Sequence, residues 1–69
     1  MKKLHFNVPN KIVYTNWKGE RRERVIEPKH VFFGATEYHK TPQFLIEAVD
    51  LEKNEIRHFA LNDMELLSK

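Results

Sequence analysis

Two runs of strand-forming residues, 42–49 and 55–61, flank the tetrapeptide Leu51-Glu52-Lys53-Asn54, and no other feature narrows the folds open to this chain as much. Four-residue hairpin loops are common, and Asn54 suits the left-handed conformation at the last loop position. Closing the loop with Asp50 opposite Glu55 sets a register that can be counted outward. Ala48 then faces Arg57, Ile46 faces Phe59 and Phe44 faces Leu61. On the other side Val49 meets Ile56, Glu47 meets His58 and Leu45 meets Ala60. The first face is the more apolar and is expected to meet the core, with Arg57 emerging at its rim; a slip of one residue would exchange the faces.

The rest of the chain reads in the same period. Residues 3–8 alternate, with Leu4, Phe6 and Val8 on one side, and predict a strand that Pro9-Asn10 ends. Residues 11–17 are rich in β-formers and predict a second strand, followed by turn residues in Asn16-Trp17-Lys18-Gly19. A third strand spans 21–27, and Pro28 breaks or bends it before a short apolar stretch at 30–33. Residues 35–41 are polar and unpatterned, which predicts a loop. Asn62 or Asp63 is placed to cap a final short helix over 64–67, with Met64 and Leu67 turned inward. Five or six short, sequentially connected strands and one terminal helical turn predict a mainly β fold. The expected form is a small, partly open SH3- or Sm-like β-barrel with a short C-terminal helix.

A chain of 69 residues holds one domain, here residues 1–69. Without cysteine it has no disulfide and no thiolate metal site, so packing must hold it together, helped by a partner or a second copy. No apolar run approaches the roughly 20 residues of a membrane helix. Met1-Lys2-Lys3-Leu4 resembles the start of a signal peptide, but Asn7, Pro9, Asn10 and Lys11 interrupt any apolar segment behind it, so the expected address is the cytoplasm. The net charge is only +2, and its distribution says more. Lys18, Arg21, Arg22 and Arg24 crowd the first hairpin, whereas Glu47, Asp50, Glu52 and Glu55 gather around the later one.

Little in the chain points to catalysis. His5, His30, His39 and His58 show no metal-binding spacing, and His58 has a cross-strand partner available in Glu47. Ser68, the single serine, is one residue from the end. General acid–base work needs a walled pocket, for which so short a chain has little volume. The expectation is a binding protein, not an enzyme, with no metal and no cofactor. Tyr14 and Trp17 interleaved with Lys18, Arg21, Arg22, Arg24 and Lys29 match the way small barrels hold single strands, with aromatic rings stacking bases and cations following phosphates. The alternative is a solvated hairpin with Trp17 or Tyr14 partly in the core. A tryptophan beside a glycine turn is badly placed for a core and well placed for contact.

From Ile12 to Met64, about three quarters of the chain, the landmarks resemble those of the WYL domain, a bacterial and phage ligand-sensing module. Ile12-Val13-Tyr14 stands for its opening apolar-x-Tyr strand, and Lys18-Gly19-Glu20 for the glycine turn. Arg24 precedes Pro28 by four residues, as the pattern requires. Gln43-Phe44-Leu45 occupies the place of the Trp-Tyr-Leu tripeptide and keeps its leucine and a central aromatic. Arg57-His58-Phe59-Ala60-Leu61 matches the closing element, with Asn62-Asp63-Met64 in place of Asp-Arg-Ile. The arginine of that last tripeptide is missing, which removes one cation from the usual ligand surface. The DNA-binding helix-turn-helix and the C-terminal extension that usually flank the domain have no counterpart in these residues, so operator binding of the usual kind is not expected.

The resemblance implies an SH3- or Sm-like barrel with a pocket for single-stranded nucleic acid or a nucleotide-like effector, in transcription regulation. It places Arg24 and Arg57, and more weakly Tyr14, at that pocket. Guanidinium groups suit phosphate through forked, charge-assisted hydrogen bonds. Equally, the two arginines could pair with Glu23, Glu27, Glu47 or Asp50 and tie strands together. The candidate binding residues are therefore Arg24, Arg57, Tyr14, Trp17 and Arg22, and binding is expected to weaken steeply with salt. The rival reading is a protein-interaction module that docks on a larger regulator or self-associates through sheet edges.

Overall fold

The structure is a computed structural model that describes residues 3–37 and 39–67. Strands β1 (Asn10–Thr15), β2 (Arg21–Gly34), β3 (Gln43–Asp50), β4 (Glu55–Ala60) and β5 (Met64–Leu66) form one antiparallel sheet in the order β4-β3-β2-β1-β5. A single 3-10 turn, Leu61–Asp63, separates β4 from β5. The first four strands are a meander. β5 then returns to the free side of β1, so the sheet curls over its own start, while β4 and β5 do not pair with each other. The result is the mainly β, partly open barrel that the strand pattern predicts.

Two local devices shape it. At the β1–β2 turn Asn16 Oδ1 accepts from the backbone N–H of Lys18 at 2.9 Å and of Glu20 at 3.0 Å. Gly19, at φ 82°, donates its N–H to the Asn16 carbonyl at 2.9 Å, a backbone shape that favours glycine. The β3–β4 loop ends on Asn54 at φ 55°, and all six pairs from Asp50↔Glu55 to Leu45↔Ala60 follow the predicted register.

Four expectations need correction. Residues 21–27 and 30–33 are not two elements: β2 runs through Pro28. The ladder to β3 shifts between Pro28 and His30, so the missing proline N–H falls at a bulge, and the Pro28 carbonyl accepts from Asn7 N–H at 2.8 Å. That bulge lets one strand serve both sides, pairing with β1 through its first half and β3 through its second. Residues 3–8 are not a strand either. The buried Asn10 amide donates to the carbonyls of His5 at 2.7 Å and Val8 at 2.8 Å, which folds the segment back, with Asn7 at φ 63°. The C-terminal helix over 64–67 is absent. The helical turn lies earlier, and Met64 and Leu66 extend opposite Tyr14 and Ile12, where both pack against the core. Finally, β4 ends at Ala60, so Phe44 has no Leu61 opposite it and is exposed.

The core is small. Ile12, Ile26, Ile46, Ala48 and Phe59 form its buried centre, surrounded by Leu4, Tyr14, Leu61, Met64 and Leu66. Each of the larger side chains contributes about 1.5–3 kcal/mol by leaving water. Among the described residues no helix is long and apolar enough to cross a membrane.

Candidate anion-binding site

Paired residues of an antiparallel ladder point to the same face of the sheet. Arg24 lies opposite Ile12, and Arg57 opposite Ala48, and both of those partners are buried in the core. The two arginines therefore start from the inner face of the curled sheet, at its rim. β2 and β4 are not neighbours, since β3 runs between them. The last residue of β3, Asp50, is the point at which the two side chains converge. Its Oδ2 lies 4.0 Å from Arg24 Nη1 and 3.8 Å from Arg57 Nη1.

Asp50 is completely buried. Its Oδ1 accepts from the N–H groups of Glu52 at 3.1 Å and Lys53 at 3.4 Å, which fixes the β3–β4 loop. Oδ2 makes no hydrogen bond. Both guanidinium groups are thus drawn to one carboxylate without spending an N–H on it. They differ in access: the Arg24 side chain is 17% exposed and also lies 3.9 Å from Glu52 Oε1, whereas Arg57 is 39% exposed. Of the other carboxylates named as possible partners, Glu27 takes Lys29, and Glu47 takes His58 at 3.2 Å, as the register predicts.

Arg57 lines a cleft of about 610 Å³. The β1–β2 turn, with Asn16 and Trp17, forms one wall; Thr36 and His39 come from the β2–β3 loop; Lys53 and Ile56 come from β4 and the loop before it. Trp17 is 86% exposed, although the hydrogen bonds of Asn16 hold its turn in place. Lys18 Nζ sits 5.2 Å from the centre of its indole. Neither Arg24 nor Arg22 lines the cleft: Arg24 is held at Asp50, and Arg22, opposite Tyr14, is exposed.

Tyr14 is at the cleft in a different capacity. Its hydroxyl accepts from Ala60 N–H at 3.1 Å, and its ring meets Phe59 edge-on at 5.0 Å, so it braces β1 against β4. Burial pushes the phenol above its ordinary 10.0, with a contribution from Asp63, against the pull of the Ala60 hydrogen bond and of Arg57. The neutral phenol is the folded form, so stability from this group is complete below about pH 10 and is lost as the pH climbs through the raised value. Urea unfolding at pH 8, 10 and 11 is expected to show a falling midpoint that Tyr14→Phe flattens. At pH 8 that variant should cost about 1 kcal/mol, because the Ala60 amide loses its acceptor.

The site also seals part of the sheet edge. Antiparallel alternation turns the peptide groups of Ile56, His58 and Ala60 away from β3, as the bond from Ala60 N–H to Tyr14 indicates. The His58 carbonyl lies 3.4 Å from His39 Nε2. Ile56 is left as the exposed position on that margin. No known family, curated protein or solved structure matches this chain. The site therefore has to be read from its own chemistry. Among the described residues no three His, Asp or Glu side chains gather as metal ligands.

Proposed function

We propose that the chain is a small cytoplasmic binding module, WYL-like in plan, whose cleft takes a nucleotide-like anion or single-stranded nucleic acid as an accessory regulator, without catalysing a reaction. The observation that carries this reading is Trp17. An indole 86% exposed on a turn held by hydrogen bonds is a preorganised stacking surface, and Arg57 stands in the same cleft with N–H groups to spare. Stacking a base on an aromatic ring is worth about 1–3 kcal/mol, and a guanidinium adds a charge-assisted bond to phosphate. The landmarks from Ile12 to Met64 support the same reading, with Arg57 in the closing element and Arg24 held beside it through Asp50. Self-association through sheet edges has less to offer, since His39 and Tyr14 occupy much of the β4 margin and β5 is only three residues long.

Trp17 is the single tryptophan, so its fluorescence reports on the cleft directly. Titration with nucleotides and short oligonucleotides at low salt is expected to quench it. By calorimetry Trp17→Ala and Arg57→Ala should each weaken binding about tenfold or more, Trp17→Ala with its unfolding midpoint unchanged and Arg57→Ala with a lower one, since buried Asp50 loses a cation. Arg24→Ala should weaken it less. Unaltered fluorescence across the whole set of ligands would rule the reading out.

A further inference from the structure

Resting on that reading, we infer that the cleft holds one nucleotide by a terminal phosphate monoester and does not carry a running strand. The charges that line the cleft decide between the two. Lys53 and Arg57 line the cleft, and so do the carboxylates of Glu55 and Asp63. Two cations match one phosphate monoester, which carries close to two negative charges at neutral pH. The two carboxylates next to them repel any further phosphate. A strand that passes through needs a continuous basic groove along its backbone, and this cleft is formally neutral.

Three of the cations outside the cleft are already paired. Arg21 pairs with Glu65 at 3.1 Å, Lys29 with Glu27, and Arg24 is held between Asp50 and Glu52. The aromatic surface is limited in the same way. Lys18 stands over the Trp17 ring, so one face of the indole is taken and the other stacks a single base. The shape agrees: the β1–β2 turn and the β2–β3 loop border the space, and its roughly 610 Å³ falls within the usual range for small-ligand sites.

The test monitors Trp17 fluorescence of the full chain with adenosine, AMP, and oligoadenylates of two, four and eight nucleotides, each with and without a 5′-phosphate. AMP should bind at least about tenfold more tightly than adenosine, since a charge-assisted phosphate contact is worth about 1.5–3 kcal/mol. Affinity should stay within about threefold from AMP to the phosphorylated octamer, and fall to the adenosine level when the 5′-phosphate is removed. With two phosphate-neutralising cations the logarithm of affinity should fall with the logarithm of salt at a slope no steeper than about −1.4, and the slope should not steepen with length. Affinity that rises with length, with a steepening slope, would overturn the single-nucleotide inference and leave nucleic-acid binding in place. Adenosine binding as tightly as AMP would overturn it too, by removing the phosphate from recognition. If no member of the series binds, the nucleotide reading itself falls and takes this inference with it.

Discussion

Phe59→Ala is expected to leave the chain barely folded at room temperature. Phe59 is 2% exposed, faces Ile46 across the β3–β4 ladder and meets the edge of Tyr14, so three strands close on its ring. Replacing a buried phenylalanine by alanine costs about 3–5 kcal/mol, the lost burial and the cavity together. A domain of this length has about 3–10 kcal/mol in all. Thermal and urea unfolding followed by circular dichroism should show a melting point lowered by at least about 15 °C, or no cooperative transition. Phe33→Ala supplies the contrast. Phe33 is 62% exposed and touches Phe44, which is exposed too, so its loss should cost under about 1 kcal/mol. Equal costs for the two variants would mean that the core is not centred on Phe59.

Asp50 should give the second large effect. Asp50→Ala removes the acceptor that fixes the loop N–H groups of Glu52 and Lys53, and leaves Arg24 and Arg57 facing each other over an apolar gap. Removing one member of a fully buried ion pair costs about 3–5 kcal/mol. Arg57 can turn into water, so the expected loss is smaller, about 2–3 kcal/mol. Asp50→Asn keeps an oxygen for the loop and should cost about half as much. A double-mutant cycle with Arg57→Ala separates the contributions: the loss on Asp50→Ala should shrink when Arg57 is already absent. Strict additivity would show that Arg57 contributes nothing through Asp50, leaving the loop and Arg24 as the partners of that carboxylate.

The hairpin was legible because three local signals agreed. Alternation set the faces, Asn54 set the turn, and Asp50 opposite Glu55 set the register. Where the sequence misleads, a tertiary partner outweighs a sound local signal. Over four residues the apolar spacing of Met64, Leu66 and Leu67 fits a helix and a strand alike, and the open side of β1 chooses the strand. The alternation of residues 3–8 is clean, yet the buried Asn10 side chain needs acceptors and folds the segment back to find them. Pro28 is a strong breaker, but at a bulge its missing N–H costs nothing.

The site was less legible than the fold. Arg24 and Arg57 stood out through the resemblance, and Trp17 through its place beside Gly19. Asp50 was one of four carboxylates open to the arginines, and both turn to it, but nothing in the sequence singles it out as the buried link between them. Periodicity is equally silent on His39 and Lys53, which loops bring to the cleft.

The engagement of the β4 margin by Tyr14 and His39 bears on how this protein survives at high concentration. A bare strand border is a template on which further chains stack into fibrils, and small sheets usually defend it with charge or proline. Here the guard is a phenol and an imidazole that also stand at the mouth of the cleft. If the cleft takes a guest as proposed, drawing them aside to admit a larger one would uncover the border at the same moment, and the bulk of the guest and exposure of the edge would be tied to the same two side chains.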